Sequence, residues 1–214
     1  MGNKKFFDHF KELNYRIYIS LLVIAIFFTI IYINYSSIYE ILINPLVNAG
    51  YSTSDLVAFT IYEGFQVKIL NTFFVSITLA IPLVIFILGY FFKPALERTS
   101  HSIFITYLII LITLFYLGIF SAYKTIPIGI NFLLEFNESE FLLRTQNYFQ
   151  LISRISILFG FSFQTSLVIY FLIKKNIIKR SLFTNNRKEI FLFVLIFSAI
   201  ITPTGDPITL FIFT

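Results

Sequence analysis

Gln164 is the most unusual chemically capable side chain in this sequence. It lies in the apolar stretch from Tyr148 to Ile173, which is long enough to cross a bilayer. At ~1.5 Å per residue, Gln164 falls roughly 15 Å from the basic end of the stretch at Lys174, which is the bilayer midplane. Because lipid offers no hydrogen-bond partner at that depth, the amide must find a partner inside the protein.

One face of the same stretch is small and polar. Ser153, Ser156, Gly160 and Gln164 fall within about a quadrant of a helical wheel at 100° per residue. The opposite face consists of phenylalanine, isoleucine and leucine. The pattern predicts a membrane helix whose polar face is turned toward the protein.

A second chemical candidate is the segment HFKELNYR, from His9 to Arg16. It is amphipathic and directly precedes an apolar run. One interpretation is an interfacial helix that anchors the run through its long basic side chains. The other is a docking site, in which Glu12 pairs with a basic ligand and Arg16 lies one turn further along the same face.

The composition places these candidates in a membrane protein. Of the 214 residues, 57% are hydrophobic and 13% are charged, about half the charged fraction of a soluble domain. The absence of cysteine excludes disulfides and thiolate metal sites. The two histidines, His9 and His101, lie in polar segments, which excludes a bis-histidine haem within the apolar runs. We expect no metal site and no cofactor.

The apolar runs predict an all-α membrane protein, a polytopic helical bundle in a single domain, residues 1–214. The segments Asn34–Gln66 and Lys124–Asn147 mix polar residues with proline or glycine and are predicted as loops. The fifth run is short against the ~20 residues that a span needs. The predicted spans are 17–33, 69–92, 103–123, 149–173 and 190–201, with a sixth begun at 208–214.

The lysines and arginines predict the orientation of these spans. Residues 1–16, 93–98 and 174–188 hold four, two and six of the 16 basic residues. Because basic loops stay on the cytoplasmic side or its organellar equivalent, the N-terminus is predicted to face that side. The net charge of +5 is then a topology signal and gives little support to nucleic-acid binding.

Short motifs are spaced along the whole chain. Beyond HFKELNYR, they are Pro45-Leu46, the group Glu63, Phe65 and Lys68, and four longer stretches: FFKPALERTSHS at 91–102, LFYLGIFSAYKTIP at 114–127, FGFSFQTS at 159–166 and ITPTGDPIT at 201–209. In this order they resemble the motifs of the TatC family, the polytopic subunit of the twin-arginine (Sec-independent) protein translocase.

The resemblance implies a cup-like architecture of six helices, the last two short. The polar face of the fourth span, with Ser153, Ser156, Gly160 and Gln164, would line the concave side. The N-terminal segment and the first basic turn would bind the twin-arginine signal peptide of a folded cargo protein. For that role the resemblance implies Glu12, Arg16 and Glu97, because two arginines need carboxylates. It also implies an outer-loop motif of Pro45, Glu63 and Asp206.

The resemblance further implies the partners and the driving force. Family members work with single-span subunits of the TatA/TatB type and use the proton-motive force, and they are not enzymes. We therefore expect a homo- or hetero-oligomeric assembly in contact with membrane lipid.

The sequence departs from the family pattern at three positions. Asn14 replaces the first arginine of the N-terminal signature, Gln164 replaces a glutamate and Ser166 replaces a proline. A glutamine cannot titrate, so the resemblance implies hydrogen bonding and no proton relay at position 164.

Two other functions stay open from the residues alone. A respiratory-chain or ion-transport subunit would place carboxylates, histidines or an arginine deep in the spans, and Gln164 is the strongly polar midplane group here. The other alternative is a structural or degenerate relic. It is suggested by the shortness of the sixth apolar run and by the substituted motif positions.

The amino-acid usage suggests a location. The chain has 29 phenylalanines and 13 tyrosines beside one methionine and no tryptophan, which suggests an AT-rich coding sequence. We expect an integral protein of the mitochondrial inner membrane with its N-terminus in the matrix. The alternatives are a bacterial plasma membrane or a thylakoid, with the N-terminus cytoplasmic or stromal.

Overall fold

The chain folds almost entirely into α-helices. The structure is a computed structural model that describes residues 2–93, 100–135, 142–174 and 176–201. The helices are α1 (Gly2–Ile33), α2 (Tyr35–Asn48), α3 (Glu63–Phe92), α4 (His101–Glu135), α5 (Thr145–Lys174), α6 (Arg180–Asn185) and α7 (Arg187–Ile201). A 3₁₀ turn at Thr53–Asp55 precedes strand β1 (Leu56–Val57), which pairs in parallel with β2 (Leu143–Arg144).

Four helices of the described part are long and apolar enough to cross a membrane. Each of them contains one of the first four predicted spans and extends beyond it at one or both ends. The fifth apolar run forms α7, which has 15 residues. The run at 208–214 lies outside the described residues. The spanning segments are His9–Ile33, Glu63–Phe91, His101–Leu134 and Thr145–Lys174.

The structure differs from the predicted loop between Asn34 and Gln66. Helix α2 occupies the first part of that segment and continues through Pro45. It is amphipathic, and Leu42, Ile43 and Leu46 are buried along one side. Tertiary packing of that apolar side therefore outweighs the helix-breaking tendency of the proline.

Two tyrosine hydroxyls repair the backbone of α2 around Pro45. A proline has no N–H, so the carbonyl of Ile41, four residues earlier, loses its helical partner. The hydroxyl of Tyr123 donates to that carbonyl at 2.8 Å. One residue further along, the hydroxyl of Tyr148 accepts from the N–H of Leu46 at 3.2 Å and donates to the carbonyl of Leu42 at 2.9 Å.

The predicted loop from Lys124 is also helical over its first part. Helix α4 continues through Pro127 and ends at Glu135. Ile126 and Ile130 are buried, as is Ala122 before them. The apolar periodicity thus persists past the proline, and the burial that it supplies keeps the helix continuous.

The chain divides into two compact units. The first comprises Met1–Tyr39 and Lys68–Thr113, and the second comprises Glu40–Val67 and Leu114–Thr214. Within the first unit α3 and α4 pack closely, because a Cβ added at Gly89 would lie 2.7 Å from a methyl carbon of Leu108.

The second unit contains a closer helix contact, between α4 and α5. A Cβ added at Gly118 would lie 2.5 Å from the carbonyl oxygen of Phe159 and 2.9 Å from the Cα of Gly160. A Cβ at Gly160 would in turn meet the ring of Phe115 at 2.7 Å. Two glycines thus let the two helices approach at backbone distance, as small residues do in membrane helix pairs.

Candidate functional site

The first candidate site is the pair Glu12 and Arg16, which lie one turn apart on the surface of α1. The side chain of Arg16 donates two hydrogen bonds to Oε1 of Glu12, from Nη2 at 2.7 Å and from Nε at 3.1 Å. Glu12 remains 43% exposed and Arg16 remains 25% exposed. Oε2 of Glu12 takes no part in this pair, so the carboxylate faces solvent with one oxygen available to a further donor.

Arg16 also ties α1 to α3. Its Nη1 donates a 2.8 Å hydrogen bond to the carbonyl of Ile87. The guanidinium therefore presents its fork to Glu12 and a third N–H to the neighbouring helix. This second anchor fixes the position of Arg16, and with it the orientation of the Glu12 carboxylate.

Aromatic and basic side chains surround the end of α3 in the same unit. The ring of His9 meets that of Phe91 edge-on at 6.5 Å. Nζ of Lys93 lies 2.8 Å from Nδ1 of His101, and both side chains contact the ring of Tyr90. Glu97, the other predicted carboxylate, lies outside the described residues.

The predicted polar face of α5 is packed at one end. Ser153, Ser156 and Gly160 are buried, and Gly160 lies against the ring of Phe115. Gln164, one turn further on, is half-buried. The face thus begins in a close helix contact, and at Gln164 the amide oxygen is still shielded from solvent.

A buried carboxylate forms the second candidate site. Glu63, the first residue of α3, has no exposed surface. Its carboxylate accepts from the backbone N–H of Phe59 at 3.0 Å and from that of Gln146 at 2.9 Å. The guanidinium of Arg144 completes the set at 3.2 and 3.3 Å. One carboxylate therefore joins the segment before α3 to the start of α5.

The short parallel sheet fixes the register of the two segments that supply the donors to Glu63. Leu56 pairs with Leu143 and Val57 pairs with Arg144. The Arg144 guanidinium also lies 5.9 Å from the ring of Phe59 and donates to the amide oxygen of Gln146 at 3.0 Å. We name Glu63, Arg144 and Gln146 the carboxylate clamp.

The sequence singled out Glu63 but missed Arg144. One signal was present: an arginine in a loop assigned to the side of the membrane that carries few basic residues. A base that violates the charge asymmetry is a sign that it is paired. Pro45, the other described outer-loop position, is buried in α2 between the two tyrosine contacts. Asp206 lies outside the described residues.

The two candidate sites each centre on one carboxylate, that of Glu12 or that of Glu63. Among the described residues, no three histidine, aspartate or glutamate side chains cluster so as to hold a metal ion. Glu12 with Arg16 offers a surface carboxylate for a cationic group, and the carboxylate clamp is buried and satisfied. Four helices that are long and apolar enough to cross a membrane define a polytopic integral membrane protein.

Comparison with known proteins identifies the family. Residues 8–214 match the family described as Sec-independent protein translocase protein (TatC), and the chain belongs to this family. The sequence is 29% identical to TatC of Carboxydothermus hydrogenoformans over 206 residues, which cover 95% of this chain and 84% of that protein. It is 27% identical to TatC of Magnetococcus marinus, over 94% of this chain and 75% of that protein.

Solved structures agree with this assignment. The fold is similar to a crystal structure of the twin arginine translocase receptor TatC in DDM, with a TM-score of 0.77 and 27% identity. The match covers 95% of this chain and 91% of that one. A further crystal structure of the same receptor gives a TM-score of 0.78 at 25% identity. The resemblance of the sequence motifs to TatC and the all-α polytopic fold class are therefore confirmed.

Proposed function

We propose that this protein is the receptor subunit of a twin-arginine protein translocase and binds the signal peptides of folded cargo. The family match over nearly the whole chain supports the class of function. The observation that carries the binding role is the exposed Glu12 carboxylate, held by Arg16 at the end of α1. A guanidinium from a signal peptide is the natural partner for such a group.

The Glu12–Arg16 pair is suited to exchange its partner. An exposed ion pair contributes only about 0–1 kcal/mol, so an incoming arginine meets little resistance. Arg16 keeps its bond to the carbonyl of Ile87 when the pair opens, so its guanidinium retains one hydrogen-bond acceptor. In this mechanism a signal-peptide arginine takes the two-pronged contact with Glu12, and Glu97 receives the second arginine.

The test is photo-crosslinking of a twin-arginine signal peptide to the variant Glu12→Gln. Because a hydrogen bond to a charged group contributes about 1.5–3 kcal/mol, we expect the affinity to fall about tenfold or more. Glu40→Gln is the matched control, since Glu40 is an exposed glutamate on α2. Retained crosslinking in Glu12→Gln, and in Glu97→Gln as well, would contradict the proposal.

The apolar part of the signal peptide has a proposed place beside α5. Gln164 is half-buried in an otherwise apolar stretch, and Phe161 and Val168 beside it are exposed. The exposed Phe161 and Val168 side chains offer the apolar contact, and the amide of Gln164 is engaged within the protein. Ser153, Ser156 and Gly160 serve in this proposal as the packed base of the same face.

The assembly belongs to the same proposal. We infer partners of the TatA/TatB single-span type and a dependence on the proton-motive force, both from family membership.

The finer location is proposed on composition alone. An AT-rich coding sequence is typical of a mitochondrial genome and favours the mitochondrial inner membrane, while the relatives named above are bacterial. Sequencing the DNA that flanks the gene tests this, because bacterial neighbours would overturn the mitochondrial location.

A further inference from the structure

The segment that follows α5 combines a cleft, positive charge and exposed apolar side chains. We name residues 174–188 the basic segment. Two adjoining clefts of about 450 and 420 Å³ lie in it and share Ile178, Lys179 and Ser181. The side chains of Asn185 and Asn186 line the larger cleft. Hydroxyl and amide groups therefore lie beside an ammonium in a concave surface.

The charge of this segment is one-sided. Lys174, Lys179, Arg180, Arg187 and Lys188 are all exposed, and the sole acid from residue 174 to residue 201 is Glu189. A basic loop at the end of a span is expected from topology, and free solvation is its ordinary state. Membrane topology explains the bases, but it does not explain the cleft or the exposed apolar side chains.

Apolar side chains are exposed directly beside the bases. Ile177 is 69% exposed and Leu182 is 48% exposed, and Phe191 and Leu192 at the start of α7 are exposed as well. A segment that presents large apolar groups and bases together, directly after a spanning helix, is typical of segments that bind a membrane surface rich in anionic lipid.

The bases are not needed to cap α5. Its end closes on its own backbone, because the N–H groups of Ile177 and Ile178 donate to the carbonyl of Leu172 at 3.0 and 3.3 Å. Asn176 supports this closure in the left-handed region, at φ 57°. The carbonyls of Leu172 and Ile173 are thus already bonded by backbone N–H groups, so Lys179 and Arg180 are not needed for them.

We propose that the basic segment binds the head group of an anionic phospholipid in the leaflet on the N-terminal side of the membrane. Lys179 and Arg180 would bind the phosphate, and Ile177 and Leu182 would contact the first methylenes of the acyl chains. Basic pockets at span ends on this side of a membrane bind such head groups. This site is separate from the proposed signal-peptide contact at Glu12.

The test is native mass spectrometry of the full chain in detergent with dioleoyl phosphatidylglycerol. Because each base near a membrane surface contributes about 1 kcal/mol, the variant K179Q/R180Q should bind this lipid about 30-fold more weakly. The variant K179R/R180K keeps both charges and should bind like the parent, which separates the effect from misfolding. The matched control K5Q/K11Q removes two bases on the same side and should also bind like the parent.

Three outcomes would overturn the proposal. The first is an equal loss of lipid in K5Q/K11Q, which would make the effect one of net charge. The second is equal retention of dioleoyl phosphatidylcholine by the parent protein, which would make the contact purely apolar. The third is displacement of the lipid by millimolar inorganic phosphate, which would make the cleft a site for a free anion.

Discussion

At the scale of single residues, the carboxylate clamp has the most demanding electrostatics in the described part of the chain. Glu63 is fully buried, while its partner Arg144 keeps about a third of its surface in contact with solvent. A buried carboxylate is tolerated when hydrogen bonds and an opposite charge replace its water. Here two backbone N–H groups and one guanidinium do so, and they come from both sides of Glu63 in the sequence.

This arrangement predicts coupled effects on stability. Glu63→Gln leaves a guanidinium without its partner and brings an NH₂ group against two N–H donors, and Arg144→Gln leaves a buried charge with fewer partners. We expect each variant to lower the unfolding temperature in detergent by roughly 5 °C or more. The double variant should lose less than the sum of the two single losses, because the two side chains share one interaction.

The control for this cycle is Glu40→Gln. Glu40 is exposed, so its replacement should change the free energy of unfolding by no more than about 0.5 kcal/mol. Strictly additive losses in the double variant would show that Glu63 and Arg144 act independently, against the coupling inferred from their geometry.

At the scale of elements, the contact between α4 and α5 depends on Gly118 more than on Gly160. An alanine at 118 would press its Cβ against the backbone of Phe159, which cannot move without its helix. An alanine at 160 would meet the ring of Phe115, which can rotate. We expect Gly118→Ala to destabilise by about 1–3 kcal/mol and Gly160→Ala by less.

Denaturant unfolding in detergent micelles measures this difference, and Gly64→Ala is the matched control. Gly64 is also helical, but a Cβ there would have no neighbour within 4 Å. This variant should be neutral or slightly stabilised, because alanine favours a helix over glycine. Equal losses at 118 and 160 would mean that the two helices adjust their separation freely.

The elements also show what the sequence could predict. Long apolar runs predicted the four spanning helices, because lipid accepts only a backbone that bonds within its own segment. Helix α2 was missed because its support is distant in the sequence: Tyr123 and Tyr148 bond to its backbone from 82 and about 100 residues away. The proline at position 45 favours a break in the helix, and no residue near it in the sequence predicts the contacts with the two tyrosine hydroxyls.

The candidate sites follow the same division. The Glu12–Arg16 pair could be predicted, since it is a contact between neighbours one turn apart on a helix. The partner of Glu63 could not, since it lies 81 residues away and depends on the pairing of β1 with β2. The packed end of the α5 face was likewise hidden, because a helical wheel orders residues by direction and does not say what they touch.

At the scale of the whole molecule, the basic residues predict which side each segment faces. The chain has no cysteine, so single cysteines report topology without background. In intact cells or organelle-derived vesicles with the native orientation, an impermeant maleimide should label Ser54→Cys and leave Ser100→Cys unlabelled until the membrane is opened. Both positions are exposed, so accessibility alone does not separate them. The reverse pattern would invert the predicted orientation.

The Tyr148 hydroxyl inserted in the ladder of α2 has a consequence for biosynthesis. A chain that leaves the ribosome from its N-terminus presents Leu42 and Leu46 about a hundred residues before the side chain that bridges them. Until α5 has emerged, Leu42 and Leu46 lack the hydroxyl that bridges them in the folded protein. We therefore expect the backbone of α2 to reach its final hydrogen bonding only after α5 has been made, although α2 is second in sequence.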